Sequence, residues 1–317
     1  MPSIAHLHES GLLAAILPHF AQGGDVEVGP GDDAAVVRLP GPRLVITTDS
    51  LVEGQDFLLP ATRPAWIGAK AAVQNLADVA AMGARPRAVV VALNAPESTD
   101  LAVLEGISRG LAQRCGRHGT SVVGGDLGRS EQLTITVTAV GALEGDAPAV
   151  QRSGARAGDV LAIGTEQLGR SAAGLAQLLA GDHAGQHVPW HNAPDPDLSL
   201  GWGTGRTAHA MMDLSDGLVR DGTRLAQASG VLLDLDREAL AADAAALDGA
   251  AAQLGADAWD WVLHGGEEHA MLAAFAPGSV PPGFRAIGTV RERPAAATPA
   301  VLLDGAEIPG EGWDHFA

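Results

Sequence analysis

The sequence predicts an α/β protein of two domains, and three observations carry that reading. Apolar, β-branched runs alternate with helix-length amphipathic segments in both halves of the chain. The 317 residues are about twice the ~150 typical of one domain. A charged, glycine-containing segment, Leu143–Asp159, parts the halves, and the domains are set at residues 1–145 and 146–317.

A first amphipathic helix is expected over Leu7–Phe20, stopped by Gly23-Gly24. Pro30-Gly31-Asp32-Asp33 reads as a turn leading into a short strand, Ala34–Leu39. Arg43–Thr48 is a β-branched run that ends on Asp49. The helix from Pro64 to Met82 has Pro near its start, Gly83 just past its end and Pro86 beyond. Its apolar stripe is Trp66, Ala69, Val73, Leu76, Ala77 and Ala80, while Asn75 and Asp78 share a different face. Ala88–Leu93 is a continuous apolar run, hence a buried strand. Asp100–Arg117 is a second helix, Thr120–Val123 a strand closing on Gly124-Gly125-Asp126, and Leu133–Val140 alternates as a half-buried strand.

In the second half, Val160–Ile163 is a strand and Ser171–Leu179 a helix. His183–Gly205 is rich in Pro, Gly, His and Asp and reads as a long surface connection. Ala208–Leu214 is an apolar segment, followed by a helix that Ser215 or Asp216 would cap and Gly230 would end. A strand over Val231–Leu235, a helix over Arg237–Leu254 and a late strand over Phe284–Val290 complete the order, with Val262–Leu263 leading into Gly265-Gly266-Glu267-Glu268.

Composition narrows the chemistry. Hydrophobic content of 46% with 18% charged residues gives ample core. A formal charge of −18 disfavours nucleic-acid partners, which require clustered Lys and Arg. Lys70 is the sole lysine, so phosphates bound here need divalent metal to bridge the two sets of anions. One cysteine, Cys115, allows no intrachain disulfide and no cysteine-cluster zinc site, which fits a reducing cytosol. Met1–Phe20 makes a poor signal peptide, having Glu9 and no Lys or Arg before its short apolar stretch. Apolar runs such as Ala88–Leu93 fall far short of the ~20 residues of a membrane helix, so the expectation is a soluble, cytoplasmic protein with no membrane partner.

Acidic tips recur on apolar segments: Gly31-Asp32-Asp33, Thr47-Thr48-Asp49, Asn75-Leu76-Ala77-Asp78, Gly124-Gly125-Asp126, Asp213-Leu214-Ser215-Asp216 and Gly265-Gly266-Glu267-Glu268. Taken singly, each is as well explained as a turn former, a helix cap or a solvated face. Taken jointly, oxygen-only donors at element ends suit magnesium, which keeps positions open for phosphate. Carboxylates gathered without metal would repel and raise one another's pKa. Competing constellations fail: no Gly-Lys-Ser/Thr forms a P-loop, and Gly169–Gly174 has one residue too many for a nucleophile elbow. Gly201–Gly205 follows a Pro-rich loop, not a strand, and Gly185 and Pro189 break any helix that would align His183, His187 and His191 on a metal.

Read in order, these motifs resemble the thiamine-monophosphate kinase family, within the superfamily of aminoimidazole ribonucleotide synthetase, selenophosphate synthetase and the hydrogenase-maturation dehydratase. The resemblance spans Gly31 to Phe316 and rests on Thr47–Gly54, Asn75–Ala84, Gly124–Asp126, Arg152–Ala155, Leu168–Leu175, Asp213–Leu218 and Trp313-Asp314-His315-Phe316. It implies ATP-dependent phosphorylation of thiamine monophosphate by direct in-line transfer, with several magnesium ions. It also implies a homodimer whose N-terminal mixed sheets close into a barrel, a C-terminal mixed α/β sandwich, and ATP held between the domains. Carried over residue by residue, Asp33, Thr47, Thr48, Asp49, Asp78, Asp126, Asp213 and Asp216 would hold the metals. Gly125, Asp126, Arg152 and Ser215 would contact ATP, and Asp56, Glu267 and Trp313 the acceptor. Trp313 could attract the cationic thiazolium with its indole face, or simply pin the tail to the core.

Three departures stand out. Asp56 is usually histidine in the family, Glu268-His269-Ala270 replaces Asp-Tyr-Glu, and Leu127-Gly128 replaces threonines. The first two are expected in or near the acceptor pocket, which leaves open a paralogue acting on another acceptor. A non-catalytic acidic metal-binding protein is the alternative of a different class.

Overall fold

The structure is a computed structural model and describes residues 9–30, 34–295, 298 and 300–309. The chain divides into two compact units, Met1–Val79 with Ala84–Ala147, and Ala80–Gly83 with Pro148–Ala317.

The first unit contains α1 (Glu9–Ile16), β1 (Val26–Val28), β2 (Val36–Val37), β3 (Leu44–Val52), α2 (Pro64–Ala81), β4 (Arg85–Ala95), α3 (Leu101–Arg117), β5 (Ser121–Arg129) and β6 (Thr134–Ala142). β1 and β2 form a small antiparallel pair. The main sheet has the order β3-β6-β4-β5, so β3 and β5 are its two edges. β6 lies antiparallel to both β3 and β4, whereas β5 runs parallel to β4 and needs the crossover that α3 supplies. α2 is buried nearly all round, not along one stripe. Small residues make that possible: a Cβ on Gly68 would lie 2.0 Å from the Ile107 carbonyl oxygen, and one on Gly110 would lie 1.8 Å from that of Ala65. The two helix backbones therefore touch where side chains would normally hold them apart.

Strand lengths correct the sequence reading in a way that bears on function. The runs expected to stop at Asp49 and Val123 continue, as β3 to Val52 and β5 to Arg129. Thr47-Thr48-Asp49 and Gly124-Gly125-Asp126 are thus inside strands, not at their tips. Edge strands accommodate this: the backbone bonds inward to one neighbour while a polar side chain stays in reach of water. The face carrying Ile46, Thr48 and Ser50 is open. Leu44 is 50% and Ile46 62% exposed there, and Thr48 and Ser50 hydrogen-bond across to Thr138 and Thr136 at 3.0 and 2.7 Å.

The second unit contains β7 (Val160–Ile163), α4 (Arg170–Leu179), α5 (Val188–Asn192), α6 (Ser199–Trp202), β8 (Ala210–Asp213), α7 (Leu218–Ser229), β9 (Leu232–Leu235), α8 (Arg237–Leu254), α9 (Ala258–His264), β10 (Met271–Phe275), β11 (Arg285–Arg291), β12 (Val301–Leu303) and β13 (Ala306–Glu307). Its seven strands run β13-β12-β9-β11-β7-β10-β8, antiparallel except for β12 beside β9. Leu161, Ile163, Leu233, Leu272 and Ile287 from the sheet pack with Leu225, Leu240 and Leu247 from the helices in one core.

Three expectations fail here. β10 and α9 were not expected, although Ala270–Phe275 is a continuous apolar run of the kind that marks a buried strand. The stretch from His183 to Gly205 is no surface connection: it folds into α5, α6 and a 3-10 turn, with Val188, His191 and Asn192 buried. Finally, Gly217 occupies the N-cap of α7 and no side chain caps it, so neither Ser215 nor Asp216 plays that part. Among the described residues, no helix is long and apolar enough to cross a membrane.

Candidate functional site

In the first unit, β3 points Thr47 and Asp49 to one side and Thr48 to the other, as the two-residue period of a strand requires. The Thr47 hydroxyl donates to Asp78 Oδ2 at 2.7 Å, tying β3 to α2 at two expected metal-binding positions. The Thr48 hydroxyl instead donates to the Val137 carbonyl at 3.0 Å, on the open face. Asp56 turns back on its own loop, its Oδ2 accepting the Val52 N–H at 2.7 Å. Beneath that loop Lys70, 2% exposed, donates to the Asp56 carbonyl at 3.0 Å.

At the other edge, Asp126 is exposed and its carboxylate accepts no hydrogen bond among the described residues. It shares a cross-strand row with Ala92, Thr136 and Ser50, on the open face. Beside it, a Cβ on Gly125 would lie 1.9 Å from the Val91 carbonyl oxygen, so only glycine keeps β5 against β4. A cavity of about 970 Å³ opens here, lined by Leu13, Ile16 and Phe20 as well as Gly124, Gly125 and Asp126. Asp33 lies outside the described residues.

In the second unit, the turn from β8 into α7 carries Asp213, Ser215 and Asp216, and the loop before β10 carries Glu267. Two backbone bonds lock the segments together: Glu267 N–H to the Ser215 carbonyl at 2.8 Å and His269 N–H to that of Leu214 at 2.7 Å. Met211 N–H donates to the Gln151 carbonyl at 2.9 Å, which runs Arg152 along the edge of β8 with its side chain exposed. Asp213 is buried, with His269 Nδ1 at 3.2 Å from its Oδ2. His269, expected in or near the acceptor pocket, thus also touches a metal-ligand candidate. Trp313 lies outside the described residues.

The sequence reading missed what shapes this turn. Asp221, fully buried, accepts the N–H groups of Ser215 and Asp216 at 2.9 and 2.8 Å on one oxygen, while its other oxygen receives Arg224 at 2.6 Å. Arg224 also reaches Asp216 at 2.6 Å. Burial pushes the Asp221 carboxyl up to about 6, against the lowering effect of the Asp216 N–H, and the Asp213 and Asp216 charges add to the rise. A sequence signal existed, since Asp221 and Arg224 are three apart on one helix face. Replacing Asp221 with Ala would strand two N–H donors and loosen the turn, an expected loss of about 2 kcal/mol in chemical denaturation. An unchanged unfolding midpoint would show that the turn holds without it.

All these donors are hard oxygens. Among the described residues, no group of three His, Cys, Asp or Glu is placed to hold a metal ion. Carboxylates and hydroxyls of this kind could serve as oxygen ligands to a magnesium ion that takes its remaining ligands from elsewhere.

A family described as AIR synthase related protein, N-terminal domain, matches residues 31–143. A thiamine-monophosphate kinase of Mycobacterium tuberculosis is 44% identical over 99% of this chain and 93% of its own length. A second, from Aquifex aeolicus, is 34% identical over 90% and 92%. Among solved structures, AaThiL complexed with AMPPCP and TMP superposes with a TM-score of 0.77 at 30% identity, covering 100% of this chain and 99% of that one. The hydrogenase maturation protein HypE in complex with ATP, 21% identical with a TM-score of 0.75 over 94% and 92%, shares the fold.

Proposed function

We propose the function from one premise: the chain belongs to the thiamine-monophosphate kinase family. It is a kinase, using ATP to convert thiamine monophosphate to thiamine diphosphate. The observation that carries this is likeness along the whole chain to relatives of that activity, one of them solved with AMPPCP and TMP bound. The assay is purified protein with ATP, magnesium and thiamine monophosphate, followed for thiamine diphosphate. ATP turnover only with some other acceptor would favour a paralogous activity, and no nucleotide binding at all would leave a metal-binding protein.

Transfer is in-line and direct. The attacking oxygen belongs to the acceptor's phosphate, which is ionised at neutral pH, so no strong general base is needed. Catalysis then rests on positioning and on neutralising charge. Lys70 is buried against Asp56, so the positive charge facing the nucleotide would come from metal and from arginine, Arg152 first. Magnesium, when bound, supplies charge neutralisation at the β- and γ-phosphates. Asp49, Asp78 and Asp126, with Asp33 and the hydroxyls of Thr47 and Thr48, would hold it in the first unit; Asp213 and Asp216 would do so in the second. Gly125 leaves bare backbone for the phosphates, and the apolar walls of the adjoining cavity suit an adenine ring. Ser215 and Arg152 complete the nucleotide contacts. Asp56, Glu267 and Trp313 take the acceptor. ATP use, and a chain whose single cysteine, Cys115, can form no intrachain disulfide, support a cytoplasmic enzyme.

The sheet itself supports a homodimer. β3 and β5 are the two edges of the four-stranded sheet, so each has backbone groups facing outward that a second copy could pair. The open face of the same sheet carries Leu44, Ile46 and Val90, all exposed in the single chain. Closing two such sheets edge to edge into a barrel would set β3 of one copy against β5 of the other and cover Leu44, Ile46 and Val90. A monomer in sedimentation equilibrium at assay concentration would overturn this arrangement.

A further inference from the structure

Away from the metal-ligand candidates, the second unit buries a polar network whose members the reaction does not use. Glu268, 1% exposed, accepts the Ser171 N–H at 2.8 Å on Oε1 and the Trp190 indole N–H at 2.9 Å on Oε2. The Arg170 guanidinium lies 3.3 Å over the Trp190 ring. Burial pushes the Glu268 carboxyl up, while the Ser171 N–H, Arg170 and the Trp190 N–H pull it back. The network anchors α5 to the start of α4 and to the loop before β10. From α5, His191 places its Nδ1 3.1 Å from Ser171 Oγ and 3.2 Å from Glu267 Oε2. His191 is buried and the Glu267 side chain is 31% exposed, so a fixed ring touches a carboxylate that reaches outward.

The backbone adds a second constraint. Glu267 has φ 60°, a left-handed conformation uncommon for a residue with a side chain. The chain enters it through Gly266, where a Cβ would lie 2.5 Å from the Ser215 carbonyl oxygen. Glu267 thus has its backbone pinned to Ser215 and its carboxylate held at His191 Nδ1.

We propose that His191 is a positioning residue for acceptor recognition, with α5 acting as a brace that aims the Glu267 carboxylate at the cationic acceptor. This rests on the reading that Glu267 contacts the acceptor, and it extends the acceptor site to a segment that sequence alone placed at the surface. Recognition of a thiazolium by a carboxylate depends on direction and distance, so a carboxylate free to swing binds less well while transfer from ATP is unaffected.

The test uses full-length protein and steady-state kinetics in both substrates. Glu267→Ala should raise the acceptor KM about tenfold or more with the ATP KM unchanged. His191→Gln fills the ring's volume but carries its amide near the Nε2 position, and should raise the acceptor KM about three- to tenfold. His191→Asn, smaller but with an amide near the Nδ1 position, should stay within about twofold of the parent. A purely structural role predicts the reverse order, because Asn leaves the larger void. The Glu267→Ala/His191→Gln double variant should be no worse than Glu267→Ala alone, since both act through one carboxylate. If Glu267→Ala raises the acceptor KM but His191→Gln does not, or if the two effects multiply, the positioning role is overturned. An unchanged acceptor KM in Glu267→Ala would instead overturn the assignment of Glu267 to the acceptor, and the brace with it.

Discussion

Asp126→Asn is expected to abolish phosphoryl transfer while leaving the chain folded. The carboxylate is exposed and makes no hydrogen bond among the described residues, so the amide should change stability by no more than about 0.5 kcal/mol. Under the proposed metal role, what the carboxylate supplies is charge. An amide is a neutral and weaker ligand for a hard dication, and loss even of residues that merely orient metal ligands costs 10–100-fold, so turnover should fall by about 100-fold or more. Thiamine diphosphate formation at saturating ATP and magnesium is the measurement, with thermal denaturation as the folding control. An active Asp126→Asn enzyme would remove Asp126 from the metal site.

Gly125→Ala should damage the fold itself. The new Cβ would lie 1.9 Å from the Val91 carbonyl oxygen, less than any real contact allows, and the obstacle is backbone that no rotamer change can move. β5 must part from β4 at that point, breaking ladder bonds on either side of Asp126. Strain of this kind costs about 3 kcal/mol. The adjacent glycine is the control: nothing lies within 4 Å of a Cβ on Gly124, so Gly124→Ala should be far milder. Equal unfolding midpoints for the two variants would show that the close approach of β5 to β4 carries no energetic weight.

Regular patterning made much of the fold legible. β7 and α8 fall on the expected residues because an apolar run and a capped, alanine-rich helix each signal their own bounds. β3 and β5 did not, because glycine and aspartate speak locally for a turn, whereas a ladder to a neighbouring strand is decided by partners distant in sequence. The same holds for α5. Pro189, His191 and Asn192 look like loop, and the groups that hold the half-buried Trp190, Glu268 and Arg170, lie elsewhere in the chain. Among the site residues, Asp213, Ser215, Asp216 and Glu267 come together as neighbours. Thr48 stands on the face away from Thr47, and Asp56 spends one carboxylate oxygen on its own loop. Motif order nominates such positions, but the direction of each side chain follows from strand phase and tertiary packing.

The placement of β3 and β5 at opposite margins of one sheet bears on assembly. Each margin offers a row of backbone groups that its own sheet does not pair. A copy that joined another through one margin alone would leave the other free to recruit a third, and growth would continue as a fibre. Pairing at both margins at once ends the growth at two. A variant with a proline set into β5 would block one margin, and light scattering would then read whether the chains stay single or string together.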